Sequence, residues 1–271
     1  RVGHAGTLDP EAAGILPIMV GRATRLFDYL ADKEKEYVTV CAFGTATDTQ
    51  DFTGTVLARG TDYPDASKVR EMLPRLEGDI LQKPSMYSAI KVGGHRLYEL
   101  ARKGENAEVP ERMVRIENIE LLREMPDHGF ELRVTCGRGT YIRTLCHDLG
   151  LLCGCPAHMR SLTRTRSGAF TLETAIALED FRQLSMEGRL EEKLIPMDGP
   201  IQNLPRMEAP GNLTKKVMNG MKLPMREMIG DRIQEGAPAR VYLNGDFWGI
   251  AERRGEELVW RAQMPPERTE V

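Results

Sequence analysis

The stretch Gly3-His4-Ala5-Gly6-Thr7-Leu8-Asp9-Pro10, continued by Gly14-Ile15-Leu16-Pro17, constrains the start of this chain more tightly than any other feature. Two close glycines let the backbone turn sharply and approach a ligand, and Pro10 fixes the direction in which the chain leaves Asp9. The stretch therefore reads as a loop that holds one acid in one place. A second reading makes Asp9 the N-cap of a helix, with Pro10 at the first helical position and Glu11 in the first turn. The residues alone leave both readings open.

The rest of the chain supplies both kinds of regular element. Ile15 to Val20 reads as a short buried strand broken by Pro17, and residues 21–30 as a helix. Lys35 to Phe43 alternates polar and apolar side chains, the period of a half-buried strand. Residues 54–58 read as a strand, 65–76 as a helix, and 109–123 and 130–136 as strands. From residue 172 to 194 the composition turns acidic and helical, and Pro196, Pro200, Pro205 and Pro210 then space out a connector. Beyond it, 212–220 can form a helix, and 239–243, 246–252 and 258–262 read as short strands around Asn244-Gly245 and Gly255.

The 271 residues suffice for a catalytic core plus a small second domain. A formal charge of -3 means that any nucleic-acid binding must come from local basic surface. Two stretches supply it. Residues 82–104 interleave Lys83, Lys91, Arg96, Arg102 and Lys103 with Tyr87 and Tyr98, the mixture that pairs phosphates and stacks bases. Residues 131–168 carry six arginines (133, 138, 143, 160, 164, 166) against Glu131 and Asp148, a local balance of +4. No apolar run approaches the roughly 20 residues of a membrane helix, so no membrane partner is expected. Five cysteines, an odd number in a chain of this size, favour reduced thiols and the cytoplasm.

Two metal readings fare poorly. Asp48 and Asp51 lie among hydroxyls, but the further acids of a calcium loop are missing, and a solvated turn is the better reading. Cys146, His147, Cys153, Cys155 and His158 fit no standard zinc spacing, and the first pair falls inside a predicted helix with an apolar face of Ile142, Leu145 and Leu149.

The opening loop, the 82–104 stretch and Gly137-Arg138-Gly139-Thr140-Tyr141-Ile142-Arg143-Thr144-Leu145 closely resemble, in family order, the TruB family of bacterial synthases that make pseudouridine 55 in the TΨC loop of tRNA. Ala5-Gly6 departs mildly from the family's Thr-Gly or Ser-Gly. The resemblance implies an α+β chain: a mixed β-sheet catalytic domain flanked by helices over 1–196, with an RNA-binding insertion at 82–110, and a small PUA-like β-barrel over 203–271. It also implies that a strand and helix with a Lys-Pro-x-Gly element would precede position 1.

The resemblance implies roles as well. Asp9 becomes the nucleophile, either at ribose C1′ or through a glycal route, and Arg143 holds and aims its carboxylate. Tyr37, an ordinary strand aromatic by pattern, matches the tyrosine that stacks on the flipped uracil and assists proton removal from C5. His4, Arg25, Tyr87, Lys91, Tyr141, Arg160 and Arg164 become substrate contacts, His4 equally a residue that orders the loop. The target base must leave its stack, at a cost of about a few kcal/mol that RNA contacts return. No cofactor or metal is required, the partner is the TΨC arm of tRNA, and a monomer is expected. A non-catalytic RNA-binding or RNA-folding protein would use the same basic surface and is disfavoured by the joint presence of Asp9, Tyr37 and Arg143; a metal-dependent hydrolase built on Asp48 and Asp51 is disfavoured by the lack of further ligands at workable spacing.

Overall fold

Alternating side chains dictate the first body of the structure. In the Gly129–Cys136 strand, Phe130, Leu132, Val134 and Cys136 are buried at every second position, as a sheet with one face on a core requires. The computed structural model describes residues 1–266 except 32, 89 and 106. Ala89 and Asn106 of the expected insertion, and 267–271 at the end of the expected C-terminal domain, thus lie outside the described residues.

The chain packs as two compact units, one of Thr7–Leu16 with Asp32–Ala175 and one of Arg1–Gly6, Pro17–Ala31 and Ile176–Val271. The first is built on a seven-stranded sheet in the order Phe170–Thr171, Ala157–Ser167, Lys35–Phe43, Gly129–Cys136, Arg112–Met125, Gly78–Gln82, with Ala13–Gly14 pairing additionally to Ala157–Ser167. That last pairing is parallel and the others antiparallel, so the sheet is mixed. The Ile142–Cys153 helix buries Ile142, Leu145 and Leu149 with Leu132, Val134 and Met159 of the sheet and with Val69, Met72 and Leu76 of the Ala66–Met72 helix and the 3-10 turn after it. Asp65 caps that shorter helix by accepting from the Lys68 N–H.

In the second unit a two-stranded ribbon pairs Val2–His4 with Ile18–Val20. The stretch expected as a buried strand is therefore shorter and half-exposed. Met19 is buried, but Ile18 and Val20 face solvent, because a ribbon of two strands covers only one of its faces. Residues 206–263 form a curled six-stranded sheet, a half-barrel with one parallel pair, Arg206–Ala209 with Pro238–Leu243. Its core of Leu213, Val217, Val241, Ala251 and Leu258 is its own, consistent with the PUA-like expectation. No helix among the described residues is long and apolar enough to cross a membrane.

Candidate active site

Asp9 is followed by a turn, closed by the Ala12 N–H donating to the Asp9 carbonyl, and not by a helix. The N-cap reading fails because Gly14, five residues on, lies at φ +100° and is already paired in register with Arg164. A Cβ at Gly14 would stand 2.2 Å from the Arg164 carbonyl oxygen. The loop is thus pressed against the Ala157–Ser167 strand, where Ile15 N–H also donates to Arg164 O at 2.9 Å.

Arg143, at the second position of the Ile142–Cys153 helix, reaches the Asp9 carboxylate with two prongs: Nε to Oδ2 at 2.9 Å and Nη2 to Oδ1 at 3.2 Å. Its other N–H groups are engaged too. Nη1 donates to the Thr49 carbonyl at 3.2 Å and faces Asp51 Oδ2 at 3.5 Å, and Nη2 also donates to the Tyr87 carbonyl at 3.0 Å. Three hydrogen bonds and two ion-pair contacts therefore engage the guanidinium from several sides, which restricts its orientation. The Arg143 side chain is 10 % exposed and that of Asp9 34 %, so the cation is held from behind while the carboxylate faces outward.

The turn around Asp48 and Asp51, expected to be solvated, is instead the rear wall of this site. Asp51 Oδ1 accepts from Thr49 Oγ1, Thr53 N–H and Thr53 Oγ1, and Asp48 Oδ1 from Thr55 N–H. Gln50 adopts φ +64°, costly for a residue with a Cβ, and its Oε1 accepts from Thr144 Oγ1 beside Arg143 at 2.8 Å. A turn read from its sequence as facing solvent instead holds Arg143, 94 residues away, through the Thr49 carbonyl and the Asp51 carboxylate.

Tyr37 lies in the Lys35–Phe43 strand between Val134 and Arg164 and is buried. Burial raises its hydroxyl above the usual tyrosine range, and the hydrogen bond and charge of Arg164 oppose the rise. Arg164 corrects an expectation. Anticipated as an RNA contact, it is 1 % exposed, and Nε donates to the Ile15 carbonyl at 2.7 Å while Nη1 donates to the Thr7 carbonyl at 3.4 Å. It ties down both shoulders of the Asp9 loop and also bonds Tyr37, so no phosphate can reach it.

The other expected contacts divide. The Tyr87 carbonyl holds Arg143, and its hydroxyl donates to Asp48 Oδ2 at 3.5 Å. Tyr141 is the N-cap residue of the arginine-bearing helix, half-buried against Ile90, Leu97 and Val109. Lys91 is exposed in a small hairpin with Arg96, and the guanidinium carbons of Arg96 and Arg102 lie 5.9 and 5.5 Å from the Tyr98 ring centroid. Among the described residues no bond brings Arg160 to this site; it donates to the Pro126 carbonyl at 3.3 Å. His4 and Arg25 belong to the other unit, His4 exposed in the ribbon and Arg25 donating to the Gln263 carbonyl. His158, considered for zinc, bonds Thr45 through Nδ1, and among the described residues no three His, Cys, Asp or Glu converge to hold a metal.

Residues 1–142 match the model described as TruB family pseudouridylate synthase (N terminal domain), and residues 143–202 that of the tRNA pseudouridylate synthase B C-terminal domain. Proteins named tRNA pseudouridine synthase B are similar over most of the chain. That of Bacillus licheniformis is 46% identical over 229 residues, 82% of this chain and 74% of that protein. That of Bacillus subtilis is 42% identical over 244 residues, 86% and 79%. Among solved structures, a Cbf5-Nop10-Gar1 complex superposes with a TM-score of 0.69 at 27% identity, over 93% of this chain and 69% of the other. An H/ACA RNP bound to a substrate RNA containing 2'-deoxyuridine shares the fold, with a TM-score of 0.72 at 24% identity over 98% and 77%.

Proposed function

Because the chain belongs to the TruB family of pseudouridylate synthases, we propose that it isomerises uridine 55 of tRNA to pseudouridine with Asp9 as its nucleophile. The observation that carries this reading is the two-pronged Asp9–Arg143 pair with the guanidinium held from behind by the Thr49 and Tyr87 carbonyls and Asp51. A protein that only grips RNA has no use for a carboxylate aimed this way, whereas a nucleophile must be presented in one orientation.

The reaction breaks the C1′–N1 bond, turns the uracil, joins C5 to C1′, removes the proton from C5 and places one on N1, so the product is an isomer. Asp9 acts either by adding to C1′ or by a route through a glycal; its partly open carboxylate serves both. Tyr37 stacks on the flipped ring and assists proton removal, its hydroxyl oriented by Arg164. Lys91, Arg96, Arg102 and Tyr98 suit the phosphates and bases of the TΨC arm. A catalytic domain over 1–196, an RNA-binding domain over 203–271, action as a monomer and a cytoplasmic setting complete the reading.

The test is tritium release from tRNA labelled at uracil C5. Asp9→Asn keeps size and one acceptor for Arg143 but removes the nucleophile, so release is expected to fall to background while tRNA affinity stays within about threefold, a change of roughly 0.7 kcal/mol. Turnover by Asp9→Asn, or none by the unaltered chain, overturns the assignment.

A further inference from the structure

Gln82 closes the Gly78–Gln82 strand with a side chain that the reaction scheme leaves unused. It is 1 % exposed, and both ends of its amide bond one residue's backbone: Tyr141 N–H donates to Oε1 at 2.9 Å, and Nε2 donates to the Tyr141 carbonyl at 3.3 Å. Tyr141 is the N-cap of the Ile142–Cys153 helix, and no side chain of its own caps that helix. A helix start is ordinarily fixed by its own N-cap side chain. Here a glutamine 59 residues earlier grips the cap residue itself.

Arg143 follows Tyr141 by two positions, and its bonds to Asp9 at 2.9 and 3.2 Å have little slack. A shift of the helix start by about 1 Å would break the Nη2 hydrogen bond and stretch the Nε ion-pair contact. The chain after Gln82 acts on the same arginine: Ser85 Oγ donates to the Thr49 carbonyl at 3.4 Å, and the Tyr87 carbonyl accepts from Arg143 Nη2.

We propose that Gln82 is a positioning residue for the isomerisation: by clamping Tyr141 it sets the reach of Arg143 to Asp9, and it joins the start of the 82–110 insertion to that arginine. This rests on the proposed reaction. Gln82→Met keeps length and approximate volume but removes both hydrogen bonds. The variant is read by single-turnover tritium release at saturating tRNA and by filter-binding affinity, in the unaltered chain and in an Arg143→Lys background, with near-ultraviolet circular dichroism to check folding.

A rate fall of roughly 30-fold or more is expected, with affinity within about twofold, since a misplacement of about 1 Å can cost about a hundredfold. In the Arg143→Lys background Gln82→Met should add less than about threefold, because the two act through one contact. The full factor in both backgrounds, or an affinity loss with an unchanged rate, overturns the proposal. If Gln82→Met does not fold, the same cycle on Gln82→Glu, which keeps only the acceptor, decides by the same outcomes. An inactive unaltered chain would sink the proposed reaction, whereas an active one with additive losses would sink only the role of Gln82.

Discussion

Arg164 is the largest fully buried side chain of the described residues and a cation, a costly combination that persists only where hydrogen bonds return the lost hydration. Its bonds to Ile15, Thr7 and Tyr37 connect the loop carrying Asp9 with the strand carrying the tyrosine. Arg164→Met is expected to lower the single-turnover rate by roughly a hundredfold through a misplaced loop. The slope of log affinity against log salt should stay unchanged, because that slope counts phosphate contacts and Arg164 makes none. A flatter slope would return Arg164 to the RNA-contacting set. Asp148 tells a different story at this scale. Burial alone pushes its carboxyl from 3.8 up to about 6. The folded state therefore holds this proton more tightly than the unfolded chain, a contribution fully present below pH 3.8 and lost as pH rises through about 6. At neutral pH the half-buried carboxylate is a net cost. Asp148→Asn should stabilise the fold by about 1 kcal/mol at pH 7.5, a figure held down by the carboxyl's partial exposure, and the gain should vanish below about pH 4. Urea unfolding at the two pH values checks both the size and the sign.

Among the elements, the loop of residues 7–16 behaves as a graft on the sheet edge. Gly14 at φ +100°, close against the Arg164 carbonyl, is where it attaches. Gly14→Ala should destabilise the protein by about 2 kcal/mol or more and lower turnover, since alanine pays both for the left-handed backbone and for a contact at 2.2 Å with backbone that cannot move aside. A thermal midpoint and rate equal to those of the unaltered chain would mean that the loop attaches elsewhere. The Ile142–Cys153 helix divides its work along its length: Ile142, Leu145 and Leu149 bury an apolar face, as their spacing requires, while Tyr141 and Arg143 at its start are held by polar partners from other elements.

For the whole molecule, the half-barrel of residues 206–263 encloses its own core, and Arg22 and Arg25 of the same unit donate to the carbonyls of Pro265 and Gln263. Removing 203–271 should weaken tRNA binding and flatten its salt dependence, because it removes a proposed set of phosphate contacts. The single-turnover rate at saturating tRNA should stay within about threefold, a difference of roughly 0.7 kcal/mol in the barrier, as Asp9, Tyr37 and Arg143 lie in the other unit. Unchanged affinity and slope in a folded truncation would deny this region an RNA-binding role. What the sequence determined by itself was local: the strands Lys35–Phe43 and Gly129–Cys136 from side-chain alternation, the helix that starts near Asp65, and the apolar face of the helix after Tyr141, while the resemblance proposed Asp9, Tyr37 and Arg143 as site residues. These rest on contacts within one element or on residue types whose order is itself the signal. Only the tertiary structure decided which polar residues face inward. Arg164 meets Ile15 across 149 positions, Arg143 meets Thr49 across 94, and Gln82 meets Tyr141 across 59. Composition alone gives an arginine no preference between a phosphate and a buried carbonyl, since both satisfy the same donors; the register that lays Gly14 and Tyr37 on either side of Arg164 makes the choice.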